Sequence, residues 1–276
     1  MTYETIGVRT LTPACGAEIT GVDLSKDLGN QQFEEIHDAL MRHCVIFFRD
    51  QHLTIDQHKA FGRRFGPLHI HPNAKHGIPE HPEILVIKAD ETSKRVAGES
   101  WHSDVSCDAE PPMGSILYIH RQPDGGDTMF ANMYAAYEAL SPAMQRMLEG
   151  LTAVHDSAKA HPYRKGATDR ADMAFPCHEH PVVRTHPVTR RKALFVNRGF
   201  TTHIPALRRA ESDALLEMLF RHVETPHFHC RWKWSDNSIA FWDNRSAQHM
   251  AVWDYYPQVR YGHRVTVCGD RPFLDA

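Results

Sequence analysis

The chain has 276 residues, 42% of them hydrophobic and 24% charged, which suits one large domain with a substantial core and excludes a disordered or fibrous class. With 31 basic and 34 acidic residues the formal net charge is −3, so no basic surplus exists for phosphate backbones and nucleic acid is not expected as a partner. No membrane span or signal pattern is visible, and the six cysteines are scattered, so the cytoplasm and reduced thiols are expected.

In chain order, the opening reads as short extended segments at 7–9, 17–19 and 21–24, broken by glycine. A helix is predicted over 31–43, where Phe33, Ile36 and Leu40 share one face. The apolar run 44–48 is rich in strand formers. Thr54 or Asp56 is placed to cap a second helix reaching Phe61. Strands are predicted at 83–88 and 114–120, then a helical pair over 133–151 in which Ser141-Pro142 supplies an N-cap and a first-turn proline. A strand at 193–197 and an amphipathic helix at 210–223 precede strands at 227–234, 238–242 and 261–267. Many strands without regular strand–helix alternation argue against a doubly wound sheet and for a mainly β fold with flanking helices. No repeat or linker divides the chain. A single domain over 1–276 is expected, with the polar stretch 157–180 read as an insertion or lid.

The 21 histidines raise the prior for a metal site, although such a site needs only two or three of them. His102 and Asp104 are two apart, so in an extended segment both face one side. With His249 from a distant strand they would complete a facial site of two histidines and one carboxylate, which leaves open positions on iron. A surface His-Ser-Asp turn would look the same in sequence, so support has to come from elsewhere. It comes from the strand holding Arg260 and Arg264, which share one face by the period of two. Two inward arginines are costly unless each meets an anion, and guanidinium is the group best suited to a bidentate carboxylate or sulfonate. An edge strand with solvent-facing arginines is the competing reading.

Several motifs in order carry a resemblance over nearly the whole chain: Trp101-His102-Ser103-Asp104, Gly125-Gly126-Asp127-Thr128, Thr185-His186-Pro187, and Trp242-Asp243-Asn244-Arg245 through His249 to Arg264. The sequence resembles the taurine dioxygenase / 2,4-dichlorophenoxyacetate dioxygenase family of Fe(II)/2-oxoglutarate-dependent dioxygenases. The resemblance implies a double-stranded β-helix (jelly-roll) core, Fe(II), 2-oxoglutarate and O2 as cofactor and cosubstrates, and oxidation of a small anionic organic substrate with release of succinate and CO2. It implies His102, Asp104 and His249 as iron ligands, and Arg260 and Thr128 on the distal carboxylate of 2-oxoglutarate. Arg264, His71 and the backbone of Val105 would hold the anionic end of the substrate, and a homodimer or homotetramer is the expected assembly.

The match departs from taurine-specific members around the substrate. Ala74 stands where they carry a tyrosine, Ala97-Gly98 where they hold the amine with Asp-Asn, and Cys107 where they carry an aromatic residue. The expected substrate is therefore an amine-free anion: an alkyl sulfonate, an alkyl sulfate or a carboxylate such as an aryloxyalkanoate. A catalytically silent metal-binding protein of the same fold and a zinc hydrolase are the alternatives. The His-rich segment Cys177-His178-Glu179-His180, with His186 nearby, could be mistaken for a zinc cluster but lacks a second well-spaced ligand pair, so a structural zinc is not expected there.

Overall fold

A computed structural model describes residues 2–70, 78–160 and 176–275. β1 (Gly7–Thr10) and β2 (Ala17–Thr20) pair antiparallel, and α1 (Asn30–His43) ends at Cys44 in the left-handed region before β3 (Val45–Phe48). α2 (Ile55–Arg63) starts at the predicted cap. The Thr54 hydroxyl accepts from the Gln57 amide, and the Gln57 side chain accepts in return from the Thr54 amide. β4 (Ile84–Ala89), β5 (Gly114–Arg121) and β6 (Thr128–Asn132) follow. Asn132 caps α3 (Met133–Glu138), and Ser141 caps α4 (Pro142–Glu149) with Pro142 in its first turn.

The middle of the chain is made of short elements: β7 (Thr152–Asp156), α5 (Ser157–Ala160), β8 (Cys177–Pro181), β9 (Val183–Thr185), β10 (Lys192–Leu194) and β11 (Thr201–His203). After α6 (Arg209–Val223) and a 3-10 turn at Pro226–Phe228 come β12 (His229–Trp232), β13 (Ser238–Asp243), β14 (Ala247–Ala251) and β15 (Arg260–Val267). Among the described residues no helix is long and apolar enough to cross a membrane.

A seven-stranded sheet runs β1-β2-β3-β13-β5-β15-β4, with only β2 and β3 parallel in it. A three-stranded sheet, β12-β6-β14, is the second layer of the sandwich. The side-chain period of two explains why the central strands read as continuous apolar runs. On β3, Val45 and Phe47 join the core between the layers, whereas Ile46 and Phe48 join the cluster formed with α1 and α2. β13 splits the same way, with Ala240 and Trp242 inside and Ile239 and Phe241 outside, and so does β5 with Leu117 and Ile119 against Ile116 and Tyr118. Phe47 stacks on Trp232 at 4.1 Å and 9°, which joins the two layers through buried aromatic rings. The fold is thus the expected sandwich of double-stranded β-helix type with flanking helices.

Most predicted elements form, with shifted ends. The 227–234 strand begins as a 3-10 turn, because Pro226 favours a turn start and only 229–232 pair with β6. The 193–197 strand is only Lys192–Leu194, and 21–24 is not a strand at all. His229, on β12, is buried and meets the Val223 carbonyl through its Nε2 at 2.7 Å. Of the 157–180 segment, the ends form α5 and β8, and β8 pairs with β7; residues 161–175, and the lid assigned to them, lie outside the described residues.

Two of the wholly buried histidines matter for the pH dependence of folding. His58 on α2 reaches the Ile116 carbonyl at 3.1 Å, and His155 on β7 reaches the Ser106 hydroxyl at 3.0 Å. Burial pushes each down to about 3 from the ordinary 6.5. Below 6.5 the unfolded chain takes up protons that the native state refuses, so stability is complete above that pH and falls as acid is added. Each group costs about 1.4 kcal/mol per pH unit in that window. Urea unfolding at pH 7.5, 6 and 5 should show a falling midpoint, and His155→Gln should flatten the fall.

Candidate metal centre

Backbone pairing builds the centre. His102 and His249 face each other as an isolated antiparallel bridge: His102 N donates to His249 O at 3.1 Å, and His249 N to His102 O at 2.9 Å. Directly opposed residues send their side chains to the same face. The Nε2 atoms of His102 and His249 consequently lie 3.8 and 3.9 Å from Asp104 Oδ1. The ligand atoms of these three residues are all within 4.8 Å of one another, and among the described residues no other group of His, Cys, Asp or Glu is placed to hold a metal ion.

The ring of His102 is fixed by its Nδ1, 2.8 Å from the Ser100 carbonyl. Only a protonated Nδ1 can donate to a carbonyl, so Nε2 carries the lone pair that a metal needs. Burial lowers the proton affinity of both rings below the ordinary value, most strongly at His249, which keeps them neutral and ready to ligate. Burial by itself would raise the Asp104 carboxyl. Arg264 foremost, then His249, His102 and the Ser115 hydroxyl, outweigh it and hold Asp104 far below the usual carboxylate range. The donor set, two neutral imidazoles and an ionised carboxylate, fits a divalent iron with open positions.

Space around the rings is tight by design of the backbone. Gly98 has φ +88°, and a Cβ there would sit 3.1 Å from His102 Cε1; one on Gly199 would sit 2.9 Å from His102 Cβ. Asp104 is set by a turn in which Val105 takes φ 45°, and Asn244 secures that turn from across the site. Asn244 Oδ1 accepts from Asp104 N at 3.2 Å and from Trp242 Nε1 at 3.0 Å, while its backbone carbonyl accepts from Ser103 Oγ at 2.7 Å.

The motifs at Thr185-His186-Pro187 and Trp242-Asp243-Asn244-Arg245 join in one buried network. His186 Nδ1 accepts from the amides of Val188 and Thr189, so its Nε2 is the donor to Asp243, 3.0 Å away. Arg245 grips the same carboxylate through Nε at 2.9 Å and Nη2 at 2.8 Å. Trp242 packs its ring 4.5 Å from that of His249. His178 and His180, singled out in the sequence, meet the backbone carbonyls of Cys107 and Asp108 at 2.7 and 2.9 Å, and so buttress the far end of the metal turn.

The two arginines of β15 are both buried. Arg260 Nε donates to Gln122 Oε1 at 3.2 Å, its guanidinium lies 5.4 Å over the Trp234 ring, and its Nη2 is buried with no partner. Thr128 is beside the same indole and accepts from Trp234 Nε1 at 3.0 Å, so its hydroxyl proton remains to be donated. An orphaned guanidinium nitrogen with a hydroxyl nearby fits a carboxylate guest. Arg264 Nη1 donates to Asp104 Oδ1 at 2.7 Å, and its Nε is buried and unpaired. Val105 is buried next to Asp104. His71, expected to serve the substrate, lies outside the described residues. Sequence reasoning gave no role to Ser115, Gln122, Trp234 or Asn244. Only Asn244 carried a signal, as part of a recurring motif.

Fold and metal centre together define an Fe(II)/2-oxoglutarate-dependent dioxygenase. The chain belongs to the taurine catabolism dioxygenase TauD, TfdA family, whose model matches residues 7–266. It is 36% identical to an alpha-ketoglutarate-dependent sulfonate dioxygenase of Saccharomyces cerevisiae, over 97% of this chain and 68% of that protein. It is 35% identical to an alpha-ketoglutarate-dependent sulfate ester dioxygenase of Pseudomonas putida, over 97% of this chain and 91% of the other. The crystal structure of a taurine dioxygenase from Burkholderia xenovorans superposes with a TM-score of 0.85 at 36% identity, covering 98% of this chain and 93% of that one.

Proposed function

We propose that His102, Asp104 and His249 bind Fe(II), that Arg260 and Thr128 hold the distal carboxylate of 2-oxoglutarate, and that Arg264, the Val105 backbone and His71 receive the anionic end of an alkyl sulfonate or alkyl sulfate. The observation that carries this reading is the convergence of the three ligand atoms within 4.8 Å, with buried Arg264 on Asp104 and buried Arg260 on the same strand, each with an unpaired nitrogen. When bound, the iron with 2-oxoglutarate and O2 supplies the oxidising power for a substrate C–H bond, with succinate and CO2 as coproducts. The chain's own work is placement. Arg260 fixes one end of the cosubstrate from a water-poor pocket, where a charge-assisted hydrogen bond is strong. Arg264, tied to Asp104, sets the substrate anion at a fixed distance from the metal carboxylate, so that the carbon next to the anion faces the open side of the centre. A homodimeric or homotetrameric assembly belongs to the same proposal and is read by light scattering.

Anaerobic addition of Fe(II) and 2-oxoglutarate should give the weak visible charge-transfer band of a chelated cosubstrate. A folded, iron-loaded protein without that band would overturn the cosubstrate assignment. Substrate choice follows from Gly98, which stands against His102 and offers no side chain to meet an ammonium. An unpaired ammonium costs about 1–3 kcal/mol, so amine-free alkyl sulfonates or sulfates should exceed taurine in kcat/KM by roughly 10- to 100-fold. Oxygen-uptake assays over a panel test this. Taurine in first place would sink the amine-free argument, and an aryloxyalkanoate in first place would move the substrate to the carboxylates.

A further inference from the structure

The two oxygens of Asp104 have different surroundings. Oδ1 faces both histidines, at 3.8 and 3.9 Å from their Nε2 atoms, and accepts from Arg264. Oδ2 points the other way, into β5, where it meets the hydroxyl of Ser115 at 2.8 Å. Ser115 has no exposed surface and stands opposite Thr266 in the β5–β15 ladder, with the two hydroxyls 3.4 Å apart. An ionised carboxylate only accepts hydrogen bonds, so the Ser115 proton must be given to Asp104.

We propose that Ser115 is a positioning residue of the metal centre: its hydroxyl holds Asp104 Oδ2 away from the metal, so that Asp104 ligates through Oδ1 alone. The inference rests on the iron-site reading above. Its consequence is chemical. A facial site serves a chelating cosubstrate and O2 only if the carboxylate takes one position, and an aspartate presenting both oxygens would occupy another. Ser115 stands at the head of β5, just before the apolar run Ile116–Ile119, where alanine would pack without a polar group to satisfy, and its closest side-chain partner is the Asp104 carboxylate. Outer partners of metal ligands orient them and are worth roughly 10- to 100-fold in metal affinity.

The test is Mn(II) binding to the full-length apoprotein, followed by calorimetry or by loss of the free-ion electron paramagnetic resonance signal. Ser115→Ala should weaken Mn(II) at least tenfold and alter the visible band of the anaerobic Fe(II)/2-oxoglutarate complex. Thr266→Val, which perturbs the same neighbourhood without touching Asp104, should leave both as in the parent. Ser115→Cys, nearly the same size with a weak donor, should fall between parent and alanine variant and covers the case in which Ser115→Ala does not fold. Parental Mn(II) affinity and spectrum in Ser115→Ala, or in Ser115→Cys where only that variant folds, would overturn the assignment to Ser115 while leaving the iron site standing. A parent protein that binds no Mn(II) or Fe(II) would instead remove the metal reading, and this inference with it.

Discussion

Asp104→Ala is expected to abolish metal binding and, in the same step, to destabilise the apoprotein, whereas His102→Ala is expected to do only the first. Both substitutions remove one of three ligands and should lower Mn(II) affinity and turnover by about a thousandfold or more, since too few ligands remain to define the centre. Their effects on folding differ because of Arg264. That guanidinium is buried, and Nη1 has Asp104 Oδ1 as its partner at 2.7 Å. Without the carboxylate the cation is left uncompensated inside the sandwich, and the Ser115 hydroxyl loses its acceptor. Breaking a buried pair from one side costs about 3–5 kcal/mol, which for a chain of this length lowers Tm by on the order of 10 °C. His102 is a neutral ring whose Nδ1 merely meets a carbonyl, and its loss leaves no charge behind. Melting curves of the two apoproteins beside Mn(II) titrations separate the cases. Equal Tm values for both variants would mean that the Arg264–Asp104 pair contributes nothing to the fold.

Arg260→Ala should leave the metal site intact and remove the cosubstrate. The side chain touches no ligand; its neighbours include Gln122, Trp234 and Tyr255, and its Nη2 is the nitrogen assigned to the distal carboxylate. Truncating one partner of a buried charge pair costs about 2–5 kcal/mol, so the Kd for 2-oxoglutarate should rise by roughly 30- to 3000-fold. Mn(II) affinity should be that of the parent. Arg260→Lys keeps the charge but not the planar fork, and should recover only part of the loss. Titration of the anaerobic Fe(II) protein with 2-oxoglutarate, read in the visible band, measures each term. Unchanged cosubstrate affinity in Arg260→Ala would reassign the distal carboxylate to another group.

The sequence by itself determined the local elements and the chemistry of the residues. The capping box at Thr54 and Gln57, the Ser141-Pro142 start of α4 and the apolar run of β3 follow from contacts within a few positions, which is why they could be read without a fold. Ligand type and spacing at His102, Asp104, His249 and Arg260 gave a candidate metal site beside an anion site, and the resemblance of the motifs around them to the taurine dioxygenase family implied the reaction. Tertiary structure decided what depends on distant partners. The short strands β6, β7, β8, β11 and β14 carry little periodicity of their own and exist because a neighbouring strand supplies their hydrogen bonds. His249 meets His102 only through an isolated bridge between segments far apart in sequence. The same holds for the supports of Asp104: Ser115 follows it by 11 positions, Asn244 by 140 and Arg264 by 160, and no pattern in the sequence announces that their polar groups converge on one carboxylate. Folding removed that carboxylate from water, and the hydrogen bonds and charge that replace its hydration are visible only once the sandwich is closed.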